Sequence, residues 1–100
     1  MARIKTRILS FDLPTDAVQY RVYYCEGGFV DYVDPYFEAV VLAGVYHYEV
    51  ELPTMIPITS GTWTLGITAF DAEENESDMV TITHPFDFVA PNAPTNLMII

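Results

Sequence analysis

The stretch Thr62-Trp63-Thr64-Leu65-Gly66-Ile67-Thr68-Ala69-Phe70 alternates strictly, with Trp63, Leu65, Ile67 and Ala69 on one parity and three threonines on the other. A period of two with β-branched and aromatic residues predicts a half-buried antiparallel strand. Working outward, Val18 to Cys25 repeats the pattern, placing Tyr20, Val22 and Tyr24 inward and Arg21 and Tyr23 outward. Val45 to Leu52 puts Tyr46, Tyr48, Val50 and Leu52 on one face and His47, Glu49 and Glu51 on the other. Met79 to Thr83 predicts a fourth strand with Val80 and Ile82 buried, and Phe37 to Leu42 a fifth, entered through the Asp34-Pro35 turn. Near the N-terminus Ile4, Thr6 and Ile8 share one parity, and Leu9, Phe11 and Leu13 the other. That phase switch predicts a bulge or a break between two strands. Leu13-Pro14-Thr15-Asp16 reads as a turn. No segment carries a helical repeat, and short strands separated by turns at this spacing predict an all-β sandwich or barrel.

The chain has 100 residues, the size of one domain, and 51% of them are hydrophobic, enough for one continuous core. No apolar run approaches the eighteen or so residues that span a bilayer. Met1-Ala2-Arg3-Ile4-Lys5 has charge without the apolar stretch of a signal peptide, and a segment cut from a longer exported protein would read the same. Four basic residues stand against fourteen acidic ones, and Arg3, Lys5, Arg7 and Arg21 all precede Val22. Such a surface repels a phosphate backbone and an anionic membrane, so neither nucleic acid nor membrane insertion is expected. The acidity serves solubility or a preference for cationic partners or divalent metal. A lone Cys25 excludes an intramolecular disulfide and Cys-rich zinc sites.

Several of these segments resemble the fibronectin type III family. Leu9-Ser10-Phe11 followed by Val18-Gln19-Tyr20-Arg21-Val22-Tyr23-Tyr24 is similar to its B and C strands, with Phe11 where the family usually has Trp. Gly61 to Asp71 resembles its F strand, and Asp71 to Ser77 its F–G turn. Ala90-Pro91-Asn92-Ala93-Pro94-Thr95-Asn96-Leu97 looks like the start of a following module. The resemblance implies an immunoglobulin-like, two-sheet antiparallel sandwich of about seven strands over residues 1–89, with residues 90–100 a Pro-rich linker and strand-like tail. It also implies a non-catalytic adhesive, binding or spacer module of an exported or cell-surface, extracellular multi-domain protein. In that fold the B strand lies beside the E strand, so Lys5 or Arg7 would face Glu49 or Glu51.

The sequence departs from the family in four places. No A strand precedes Arg7. Trp63 stands where the family's corner tyrosine belongs. Glu74 replaces a turn glycine, where a left-handed backbone costs about 1–2 kcal/mol. The Leu52 to Gly61 connection is long. The apolar tail Thr95-Asn96-Leu97-Met98-Ile99-Ile100 reads either as a displaced A strand, added to its own sandwich or a neighbour's, or as the first strand of a further module. Two alternative functions follow: a self-assembling structural subunit of a filament or virion, and an accessory domain of a secreted hydrolase.

Catalytic constellations are sparse. His47 sits on the polar face of a strand and His84 beside Pro85, neither in a nucleophile motif. Cys25, next to Glu26, has no cationic neighbour to lower its pKa. No catalytic residue, metal or cofactor is expected. The run Asp71, Glu73, Glu74, Asn75, Glu76 and Asp78 supplies oxygen ligands, yet it fails the spacing of a calcium loop and lacks its glycine, so a solvated hairpin turn is the expectation. Asn75-Glu76-Ser77 is formally a glycosylation sequon. Tyr23, Phe29, Tyr32 and Tyr36 either form a tyrosine-rich binding surface or close one end of the core. The candidate binding residues are therefore Asp71, Glu73, Glu74, Asn75, Glu76, Asp78, Tyr23, Tyr32 and Tyr36, with the Pro14–Ala17 loop and the open sheet edge beside them. The ligand would be a protein or a carbohydrate. No Arg-Gly-Asp tripeptide is present.

Overall fold

A computed structural model describes residues 2–100, so Met1 lies outside it. Among these residues there is no helix, and six strands follow one another: β1 (Arg7–Asp12), β2 (Gln19–Glu26), β3 (Tyr36–Val40), β4 (His47–Leu52), β5 (Gly61–Phe70) and β6 (Val80–Phe86). They form two antiparallel sheets, β1-β4 and β3-β2-β5-β6, giving the protein β-sandwich character with six strands where about seven were expected.

The two sheets meet through aromatic rings. Phe11 of β1 touches Tyr20 of β2 edge-on at 5.2 Å between centroids, and Tyr20 lies 5.1 Å from Tyr48 of β4. Edge-on and tilted pairs suit the ring quadrupole and add to the area buried. The Tyr48 hydroxyl accepts the Leu42 N–H at 2.8 Å, so its polar end is used as well. Val22, Val50, Leu52 and Leu65 complete the core between the sheets. The long β4–β5 connection contributes too, since Ile56 and Ile58 are buried.

Three expectations need correction. The phase switch near Ile8 breaks nothing: β1 pairs with β4 without interruption from Arg7↔Leu52 to Asp12↔His47. Ile4 and Thr6 lie before the ladder begins. Neither Lys5 nor Arg7 faces a glutamate, because Arg7 stands opposite Leu52 and its guanidinium turns back onto the Lys5 and Thr6 carbonyls. Val80 and Ile82 face inward by parity yet remain 72% and 50% exposed. The cause is sheet width. At about 5 Å per strand, two strands cover only half of a four-stranded sheet, and β6 lies under the uncovered part.

β6 also runs on to Phe86, through Pro85. Gly27 N–H donates to the Thr62 carbonyl at 2.8 Å, so Thr62 turns its ladder groups toward β2. Its β6 partner Pro85 therefore occupies a position from which no N–H is required. No helix among the described residues is long and apolar enough to cross a membrane.

Candidate functional site

β5 is unusual in being covered on both faces. Its threonine side should meet water, but the segment between β2 and β3 and the turn after β5 fold over it. Tyr23, outward by parity, is consequently 0% exposed. Its ring contacts Tyr36 at 5.4 Å and Tyr32 at 5.8 Å between centroids. The structure thus brings the three candidate tyrosines together. Tyr32 and Tyr36 keep part of their surface in water, whereas Tyr23 is sealed beneath them.

A polar chain threads this cluster. The Tyr23 hydroxyl donates to Glu76 Oε2 at 2.6 Å, and the Thr68 hydroxyl donates to the same oxygen at 2.6 Å. Arg21 Nη1 donates to the Tyr23 oxygen at 3.1 Å, while Arg21 Nε pairs with Glu38 Oε2 at 2.6 Å. The guanidinium lies 4.1 Å from the Tyr36 ring centre and 4.7 Å from that of Phe70, a cation–π contact on each. Burial, and next the Glu76 hydrogen bond, push the Tyr23 pKa up from its ordinary 10.0. Glu76, a candidate binding residue, is thereby a clip that pins the β5–β6 turn onto β2.

The remaining acidic candidates form a self-capped turn. Asp71 Oδ1 accepts the N–H groups of Glu73 and Asn75, both at 2.9 Å, and Oδ2 accepts the Asn75 amide at 3.1 Å. These bonds, the Asn75 side chain's first, hold the Asp71 pKa below its ordinary value. Glu74 adopts φ 67°, the left-handed conformation its glycine-like position demands. Glu73, Glu74 and Asp78 project into solvent. Among the described residues no three His, Cys, Asp or Glu side chains converge as a metal site would need. The turn does meet the Pro14–Ala17 loop: Pro14, Asp16, Ala17, Asp71 and Asn75 line a shared cleft of about 210 Å³ at this pole.

One constellation escaped sequence reasoning. Ser10 Oγ lies 3.2 Å from His47 Nε2, and His47 Nδ1 lies 2.7 Å from Asp12 Oδ1. Ser10 and Asp12 share the outer face of β1, and the register sets His47 opposite Asp12. Only the register reveals this, since the sequence separates Asp12 and His47 by 35 positions. The order is that of a nucleophile, a base and an orienting carboxylate. Its setting differs from a catalytic one. The His47 and Asp12 side chains are 60% and 83% exposed, so water screens the pair. Serine acylation also draws much of its rate from donors fixed around the oxyanion in a water-excluded site. Elsewhere, His84 stacks edge-on with Phe86 at 4.8 Å. Cys25 has its thiol pKa raised by desolvation and then by Asp34, the opposite of activation.

Comparison with protein-family models, with curated proteins and with solved structures finds no match to the chain.

Proposed function

We infer that the chain is a non-catalytic β-sandwich module of the fibronectin type III kind, serving as a binding or spacer unit of an exported or cell-surface protein. The strand order supports this reading most directly. Sheets β1-β4 and β3-β2-β5-β6 follow the order that strands B-E and C′-C-F-G take in an immunoglobulin-like sandwich, with no strand before β1 among the described residues. The family's sequence likenesses fall on the matching elements, with Leu9 to Phe11 on β1, Tyr20 to Tyr24 on β2 and Thr62 to Phe70 on β5. Surfaces left free for a partner are the pole formed by Pro14–Ala17 and the 71–78 turn, and the exposed flanks of Tyr32 and Tyr36.

The experiment that tests the non-catalytic reading targets the Ser10–His47–Asp12 cluster. Hydrolysis of an activated ester and of a denatured protein substrate is measured for the wild type, Ser10→Ala and His47→Ala. All three are expected to turn over substrate at the same background rate. Turnover tenfold above background that both substitutions abolish overturns the reading in favour of a hydrolase.

A second reading, a self-assembling structural subunit, is favoured by one observation. The inward face of β6 is bare while an apolar tail stands in water.

A further inference from the structure

We propose that the tail Thr95–Ile100 of one copy adds as a strand to the open edge of β1 in a second copy, closing the seam over β6 and joining copies head to tail. This goes beyond the module reading and does not depend on the family resemblance.

The acceptor is a seam between β1 and β6 that runs the length of the sandwich. One half, about 270 Å³, is bounded by Leu9, Leu52, Leu65, Ile82 and Phe86; the other, about 300 Å³, by Phe11, Leu13, Ile67 and Val80. These core-type side chains share the opening with Arg7 and His84 in the first half and with Asp12, Ser77 and Asp78 in the second, and one more strand would cover it. The backbone at the edge is available as well. Leu13 N–H donates to the Tyr46 carbonyl at 2.7 Å, so the odd-numbered residues of β1 direct their ladder groups to β4. By alternation Ile8, Ser10 and Asp12 turn theirs to the open side.

Two of the other edges are guarded, and the third, β3, carries Glu38 paired with Arg21 and has no apolar seam beside it. β6 has Pro85 where an incoming strand would need a donor. β4 carries Glu49 and Glu51, and the Glu51 carbonyl is already taken by the Met55 N–H at 2.9 Å. Charges, prolines and covering turns are the usual protections against edge pairing. On β1 the one carboxylate, Asp12, is turned toward His47.

The donor fits in length, pattern and charge. Once extended, six residues span about 20 Å, the length of a six-residue strand such as β1, and Asn96, at φ 58° in the single copy, leaves the left-handed region when the strand forms. Alternation puts Thr95, Leu97 and Ile99 on one side and Asn96, Met98 and Ile100 on the other, so Met98 and Ile100 stay outside the seam while Leu97 and Ile99 enter it. Both are fully solvated in the single copy, at 98% and 103% exposure. Residues 88–100 hold no charged side chain, so the tail itself adds no side-chain repulsion against a second acidic copy.

A chain's own tail is poorly placed for the same role. It leaves β6 at the pole where β1 begins: Phe86 and Arg7 bound the same half of the seam, and Phe88 N–H is held by Ser60 Oγ at 2.8 Å. Running antiparallel to β1 would first require climbing the whole seam through Pro91 and Pro94. Ala2 and Arg3 do not fill the seam either, since they share a groove with Ala90–Pro94.

The test uses full-length chains in sedimentation velocity, with folding of each variant checked by circular dichroism. Wild-type mass is expected to rise with concentration in steps of 11.3 kDa. A donor-defective variant, Leu97→Asp with Ile99→Asp, and an acceptor-defective variant, Ile82→Arg, should each remain monomeric. Mixed together they should give a dimer that grows no further, because one donor and one acceptor remain. Should Ile82→Arg not fold, Ser10→Pro removes an edge N–H and serves as the acceptor-defective chain. A wild type that stays monomeric at all concentrations overturns the proposal, and if the tail variant also melts lower, the tail fills its own seam. Association unaffected by the tail substitutions, or two monomeric variants that do not combine, overturns it too.

Discussion

Tyr23 of β2 and Glu76 of the β5–β6 turn are joined by a 2.6 Å hydrogen bond across 53 positions of sequence, with the tyrosine ring entirely buried. Glu76 Oε2 accepts from Thr68 as well as from Tyr23, so one carboxylate satisfies two hydroxyls. Removing a shared acceptor costs more than the bond it made, because the groups left behind stay out of water. Glu76→Ala is therefore expected to destabilise the fold by about 1–3 kcal/mol, read as a lower midpoint in urea at unchanged slope. In the background of Tyr23→Phe the same substitution should cost less, since only Thr68 is then orphaned. Equal costs in both backgrounds would show that the Tyr23–Glu76 bond contributes nothing.

Alkaline pH should weaken the protein before general base denaturation sets in. Burial raises the pKa of both Tyr20 and Tyr23 above the ordinary 10.0. An unfolded chain releases these protons near pH 10, while the folded chain holds them longer. Between the two pKa values the folded state binds more protons, so stability falls as pH rises. The contribution is fully present below pH 10 and is lost as pH climbs through the folded values. Urea midpoints measured from pH 8 upward should stay flat and then decline above about pH 10. In Tyr23→Phe the decline should be shallower.

These two tyrosines also mark how far the sequence could be read. Alternation in β2 and β5 located the strands and sorted their residues by face, because a period of two is a local property. It marked Tyr23 as outward, and left its grouping with Tyr32 and Tyr36 open between a binding surface and a closure of the core. Burial of that ring is the work of Tyr32, Tyr36 and Glu76, brought from two other segments, and no local pattern encodes them. Ser10, Asp12 and His47 illustrate the same limit, since their meeting depends on the register of β1 against β4. The predicted strand Met79–Thr83 stops short of Pro85, yet β6 runs through it to Phe86. Proline argues against a strand unless the residue sits on an outer edge, and edge position is a fact of topology. The acidic turn was the most legible feature, because Asp71 caps it by accepting from Glu73 and Asn75 within five residues.

Gly66, midway along β5, lies directly beneath the Met79 side chain. A Cβ at Gly66 would collide with the Met79 Sδ and stand 2.7 Å from its Cγ, with Val30 Cγ1 close behind at 3.1 Å. Overpacking a filled site costs about 1–3 kcal/mol. Because the flexible Met79 side chain can shift, Gly66→Ala is expected to lose stability toward the low end of that range, about 1 kcal/mol, despite the better strand propensity of alanine. Shortening the obstruction should relieve it, so Gly66→Ala with Met79→Ala should be more stable than the sum of the two single effects. Simple additivity in thermal melts would mean that the two side chains do not meet.

Glu74 offers the converse test, a site where glycine should improve the fold. Its φ of 67° places an L-residue in the left-handed region, which costs about 1–2 kcal/mol. Glycine removes that strain but gives the unfolded chain more freedom, at a cost of about 0.5–1 kcal/mol. The Glu74 side chain points to solvent, and its N–H bond to the Asp71 carbonyl at 3.1 Å involves only the backbone, so it survives the change. One negative charge also leaves a chain of net charge −10, easing repulsion within the turn. Glu74→Gly is thus expected to stabilise by about 0.5–1 kcal/mol, whereas Glu74→Ala keeps the strain and should gain no more than the charge term. Urea unfolding of the two variants beside the wild type separates the contributions. A glycine variant no more stable than the alanine one would place the turn in a different backbone conformation.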